Sequence, residues 1–168
     1  MKILVTESQY NKILREEKKQ KILRVPGLDF FHEDHLEAWK ILQKVLEARG
    51  NPPYTIDGNL YLKNTPIESL GNLHSVGGSL DLSLTPIESL GNLTSVGHSL
   101  NLEDTPIKSL GNLISVGGDL NLDGTQIESL GNLQSVGGDL DSVGTPLSKK
   151  YTEEEIRQMV DVGDEIYL

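Results

Sequence analysis

A nine-residue phrase, Thr-Pro-Ile-Glu-Ser-Leu-Gly-Asn-Leu, runs from Thr65 to Leu73 and returns at Thr85 to Leu93. It returns again at Thr105 to Leu113, with Lys108 in place of Glu, and at Thr125 to Leu133, with Gln126 in place of Pro. A truncated copy opens at Thr145-Pro146-Leu147, and each copy starts 20 residues after the one before. A unit this short cannot enclose its own apolar side, so successive units must stack to cover it. The period therefore dictates a solenoid.

Within each unit six columns are apolar: Leu60, Leu62, Ile67, Leu70, Leu73 and Val76 in the first, and their equivalents one period on. Leu-x-Leu has the two-residue repeat of a strand with both leucines inward. The looser spacing of the rest predicts turns and an irregular or short 3₁₀ return. Stacked units then give a parallel sheet on one side and loops on the other. The columns Asn72, Asn92, Asn112, Asn132 and Ser75, Ser95, Ser115, Ser135 read as ladders that satisfy buried turn amides. Gly77, Gly97, Gly117 and Gly137 read as sites of tight bends or positive φ.

Leu80-x-Leu82-x-x-Thr85-x-Ile87 and its two successors, beginning at Leu100 and Leu120, resemble the core of leucine-rich repeats, L-x-x-L-x-L-x-x-N-x-L. In this chain Thr stands at the family's asparagine and Gly at its first leucine. The resemblance implies that the Thr hydroxyl replaces the amide by bonding the neighbouring coil. The Ser-Val-Gly-Gly run is similar to short bacterial and bacteriophage repeats and to receptor L domain repeats. The ends, Met1 to Leu14 and Thr145 to Ile156, resemble segments attached to such repeats in tailed-phage proteins. The resemblance implies an α/β solenoid of leucine-rich-repeat type.

The flanks predict helices. Thr6-Glu7-Ser8-Gln9 has the form of a capping box and opens a helix from about Glu7 to Lys19, and the basic residues from Lys12 to Arg24 that crowd its second half read as a solvated helix face and linker. Pro26-Gly27 breaks the chain. Leu36, Trp39, Ile41, Leu42, Val45 and Leu46 recur at helical spacing between Glu33 and Arg49, and Gly50-Asn51-Pro52-Pro53 stops that helix, the expected lid of the first repeat. Thr152-Glu153-Glu154-Glu155 is a second capping box, with Ile156, Met159 and Val160 positioned to cover the last coil and Glu165 to Leu168 as a short edge strand. The expected organisation is a helical region over 1–53, about 4.5 repeats over 54–147 and a helical cap over 148–168.

The net charge of −10 is uneven: 10 Lys/Arg against 8 Asp/Glu in 1–53, 2 against 11 in 54–147, and 3 against 6 in 148–168. An acidic repeat surface repels phosphates and favours basic partners, so nucleic acid is not expected. No apolar run is long enough for a membrane span or signal peptide, and the absence of cysteine suits a reducing compartment. The expected location is cytoplasmic, or host cytoplasm and virion if the chain is of phage origin.

Side chains leaving the sheet outward are the natural partner contacts of a solenoid. They are Tyr61 and Lys63, Asp81 and Ser83, Asn101 and Glu103, Asp119, Asn121 and Asp123, and Asp139 and Asp141, with Asn59, Asn64, Ser79, Leu84, Ser99 and Asp104 around them. The acids serve either a basic partner or solubility alone. Asp119 to Gly124 opens like an EF-hand loop, but Leu130 stands where a bidentate Glu is required. His32-Glu33-Asp34-His35 reads as a helix start lacking a third metal ligand, and His74 and His98 occupy variable turn positions. No nucleophile and base stand at meaningful spacing, and no glycine loop enters a helix. The expected function is a non-enzymatic protein-binding module without cofactor or metal. The alternative is an assembly component docking through its N-terminal helices.

Overall fold

A computed structural model describes residues 22–26 and 35–168. The helix expected from Glu7 to Lys19, and most of the His32 to His35 cluster, lie outside those residues. Leu23, Arg24 and Val25, assigned from sequence to the basic linker, form a strand.

Each 20-residue coil contributes two strands instead of one. The first is the Ser-Val pair and the second is Leu-x, and every pairing is parallel. One sheet runs β1 (Leu23–Val25), β2 (Tyr54–Ile56), β4 (Leu73–Val76), β6 (Ser95–Val96), β8 (Ser115–Val116), β10 (Ser135–Val136) and β12 (Asp161–Val162). The other runs β3 (Leu60–Tyr61), β5 (Leu80–Asp81), β7 (Leu100–Asn101), β9 (Leu120–Asn121), β11 (Leu140–Asp141) and β13 (Ile166–Tyr167). A single sheet backed by loops is thus replaced by a two-sheet solenoid. Ser75, Ser95, Ser115 and Ser135 are half-buried on the outer side of the seven-stranded sheet, not at buried turns.

The six apolar columns all point into one continuous core between the sheets, where Leu62, Leu82, Ile87, Leu102, Ile107, Leu122 and Ile127 are fully enclosed. Neighbouring coils stand about 4.8 Å apart, so each leucine rests on its equivalent above and below. The repeat therefore fixes the register: Ser75 pairs with Ser95 and Leu80 with Leu100.

The columns that are constant between copies have local reasons. Thr65, Thr85, Thr105, Thr125 and Thr145 donate from Oγ1 to the carbonyl three residues earlier, at 2.6–2.7 Å. They tie down their own coil, not the neighbouring one. The Asn column does bridge coils: Asn92 Nδ2 donates to Asn72 Oδ1 at 2.7 Å, and Asn132 Nδ2 to the Gly111 carbonyl at 2.9 Å. Asn92, Asn112 and Asn132 are nonetheless exposed.

Gly77, Gly97, Gly117 and Gly137 do not have positive φ. They are required because the preceding coil passes too close: a Cβ on Gly117 would sit 2.9 Å from the Gly97 carbonyl carbon and nearer still to its oxygen. Left-handed backbone falls instead on Gly71, Gly91, Gly111 and Gly131, at φ 58–62°.

Helix α1 (His35–Ala48) buries Ala38, Trp39, Leu42 and Leu46 in the core. Ile41 and Val45, expected on the same apolar face, are exposed. Beneath α1, the buried Tyr54 hydroxyl donates to the Leu70 carbonyl at 2.8 Å and accepts from Gln43 Nε2 at 3.1 Å.

Beyond Leu140 the chain makes one more coil in place of a purely helical cap. Thr145 caps a short helix, α2 (Pro146–Lys150), and Thr152 with Glu155 closes a capping box on α3 (Glu153–Met159). The chain then returns as β12 and β13, so that Asp161 pairs with Ser135 and Ile166 with Leu140, 26 residues apart. Ile156 and Val160 are buried and Met159 is exposed. The seven-stranded sheet thus runs through the boundaries expected at both 53 and 147, and the six-stranded sheet through that at 147. Where a leucine is due, Ser142 is buried and donates from Oγ to the Tyr167 carbonyl at 3.2 Å.

Candidate functional site: the outer face of the six-stranded sheet

Alternation along each short strand of this sheet sends one residue into the core and its neighbour out. Pairing then stacks the outward residues into a ladder, Tyr61, Asp81, Asn101, Asn121, Asp141 and Tyr167. The structure so brings the expected partner contacts, Ser83 excepted, together on one face. It also shows that many of them hold the fold.

In the central ladder, Asp81 Oδ1 accepts from the Ser83 amide at 3.0 Å and from its hydroxyl at 2.7 Å. Asn101, Asn121 and Asp141 each accept in the same way through Oδ1 from the amide two residues on, at 2.9–3.0 Å. Asp and Asn interchange here because each supplies that carbonyl-like oxygen to an Asx turn. Charge is not what the turn requires.

The flanking ladder, Asn59, Ser79, Ser99, Asp119, Asp139 and Glu165, works between coils. Asn59 Oδ1 accepts from the Ser79 amide at 2.8 Å, Asp119 Oδ1 from Asp139 at 3.2 Å and Asp139 Oδ1 from Glu165 at 2.9 Å. The second carboxylate oxygens of Asp119, Asp139 and Asp141 have no hydrogen-bond partner among the described residues; Asp119 is exposed and Asp139 and Asp141 are half-buried.

On the other side, Lys63 is exposed, Glu103 and Asp123 are half-buried, and Ser83 is fully buried. Ser83 is therefore not an outward contact. Next to it stands a column of left-handed residues: Asn64 at φ 53°, Leu84 at 58°, Asp104 at 55°, Gly124 at 68° and Gly144 at 74°. Asn, Asp and Gly accept that conformation readily. For leucine it costs about 1–2 kcal/mol, and Leu84 is also 48 % exposed.

The two ends of the face differ. At one, Tyr61 is exposed beside Lys63, its ring 5.3 Å from the His35 ring, and its amide donates to His35 Nδ1 at 3.2 Å. At the other, Asp119, Asn121, Asp139, Asp141 and Tyr167 line a shallow recess of about 240 Å³. The carboxylate of Asp139, followed by burial and the charges of Glu165 and Asp141, pushes the Tyr167 phenol above its ordinary pKa. That shift reports a concentration of negative charge.

No group of three or more metal-ligating side chains comes together among the described residues, those of the Asp119 to Gly124 segment included. Nor is any described helix long and apolar enough to cross a membrane. His74 and the ladder residues Asn72, Asn92, Asn112 and Asn132 line a separate open groove of about 590 Å³ on another side of the solenoid. The Asx turns had a signal in the sequence, the column Asp81, Asn101, Asn121 and Asp141, which on its own reads only as partner contacts. The coil-to-coil bonds of Asp119 and Asp139 needed the stacking register. No family model matches the chain, and neither does any curated protein or solved structure.

Proposed function

We propose that this chain is a non-enzymatic binding module, a leucine-rich-repeat-like solenoid whose six-stranded sheet presents its outer face to a basic protein segment. In this reading α1 and α3 close the two ends of the repeat core. The observation that carries the proposal is the division of labour within the acids. One oxygen of Asp119, Asp139 and Asp141 holds the backbone, a task Asn performs at 59 for the coil-to-coil bond and at 101 and 121 for the Asx turn, yet the chain places carboxylates there and leaves their second oxygens unspent. Like charges stacked a coil apart repel one another, so a cationic partner gains what the free face lacks.

The test replaces Asp119→Asn, Asp139→Asn and Asp141→Asn together, which keeps every Oδ1 acceptor and removes three charges. The probe is a short extended peptide of lysine and arginine. The variant keeps or gains thermal stability and binds the peptide about tenfold or more weakly. Wild-type binding weakens as salt shortens the screening length below about 10 Å. Equal affinity for wild type and variant overturns the proposal.

A further inference from the structure

We infer that Leu84 is an apolar anchor on this face, seating one hydrophobic side chain of the same basic segment, with Glu103 and Asp104 receiving the cationic groups beside it. The inference rests on the proposed binding face and adds to it the residue that selects among basic partners.

Leu84 breaks two local rules at once. It holds φ at 58°, where the equivalent positions in the other coils are Asn64, Asp104, Gly124 and Gly144. It also leaves nearly half of a large apolar side chain in water. The chain has three workable residues for this position, Asn, Asp and Gly, and uses none of them here. A single exposed apolar side chain is ordinary by itself, but strain held against a cheaper local alternative points to a contact whose benefit lies outside the folded monomer.

Its setting specifies the partner. The Leu84 amide donates to the Glu103 carbonyl at 2.9 Å, which fixes the turn against the next coil, and Asp104 repeats the turn one coil on. Leu84 is thus an apolar spot bordered by acids. Three coil spacings, roughly 14 Å at about 4.8 Å each, separate it from the coil of Asp141, a span that four or five extended residues cover at about 3.3 Å apiece. A segment with a bulky apolar residue followed within that distance by lysines or arginines engages both ends. Hot spots of this kind are a few well-seated side chains surrounded by contacts that contribute less.

Two peptides test it: a lysine and arginine peptide carrying one phenylalanine, and the same peptide with serine in its place. Wild type is expected to bind the phenylalanine peptide about tenfold more tightly. Leu84→Asn, which copies Asn64, and Leu84→Gly, which copies Gly124, erase that preference. Both keep the affinity for the serine peptide and a thermal stability no lower than wild type. The Asp119, Asp139 and Asp141 variant weakens both peptides alike and keeps the preference. If either Leu84 variant retains the preference, or wild type shows none, the anchor is overturned while the acidic face stands. If wild type binds neither peptide, the face is overturned and the anchor with it.

Discussion

Gly117→Ala is expected to cost at least about 3 kcal/mol, because the new methyl group meets backbone that cannot rotate away. The added Cβ would stand 2.9 Å from the Gly97 carbonyl carbon, 3.6 Å from its Cα and closer still to the oxygen. Relief requires the two coils to part, which strains the ladder on both sides. Gly111→Ala is the control. It has no atom within 4 Å of the new Cβ and suffers only from its φ of 58°, a penalty of about 1–2 kcal/mol. Urea unfolding of the two variants separates close approach from backbone conformation. Equal losses would contradict the packing explanation.

Tyr54→Phe is expected to cost about 1–3 kcal/mol at neutral pH, since it withdraws a buried hydroxyl from the Leu70 carbonyl and from Gln43. The deficit has a pH signature. Burial raises the Tyr54 phenol above its ordinary value of 10.0, a rise that the Gln43 hydrogen bond only partly offsets. The unfolded chain therefore releases this proton first as pH rises. The stabilising contribution is complete below about pH 10 and is lost as pH climbs through the higher folded value. Denaturant midpoints measured from neutral pH into that range should show wild type falling towards the variant. A deficit that does not narrow would place the hydroxyl's contribution elsewhere.

The repeat was legible because every copy must satisfy the same two neighbours. Leu60, Leu80, Leu100, Leu120 and Leu140 occupy one register, and the sequence states that register directly. The second sheet was less visible. Ser-Val is too short to show a strand period, and its strand character arises only when Val76, Val96, Val116 and Val136 align across coils. The edge strand expected over Glu165 to Leu168 is present as β13, but the outermost strands of the seven-stranded sheet were hidden by spacing: Leu23 pairs with Tyr54 across 31 residues and Ser135 with Asp161 across 26, while the internal period is 20. Asp161 to Tyr167 shares little beyond Val162, Gly163 and an aliphatic residue with the copies it completes. Its place follows from backbone pairing, which no side-chain pattern records.

The candidate face divides in the same way. Sequence located its outward residues, because alternation around Leu-x-Leu is local information. It could not separate an acid that holds an amide from one that faces a partner, since Asp139 does both through different oxygens. Ser83 looked like its neighbours in the column and lies inside, its hydroxyl bonded to Asp81. Leu84 was readable in principle: its column is Asn, Leu, Asp, Gly, Gly, and only one of these is a poor left-handed residue. Recognising it required knowing that the column is left-handed.

The most direct measurement is the backbone amide spectrum of the intact chain during titration with the lysine and arginine peptide. The account predicts shifts concentrated in 119–123, 139–143 and 165–168, weakening with added salt, while amides around Glu153, Glu154 and Glu155 on α3 stay in place. Shifts spread over every acidic surface, or centred on α3, would show that the peptide follows net charge alone and that the outer face of the six-stranded sheet is not a binding site.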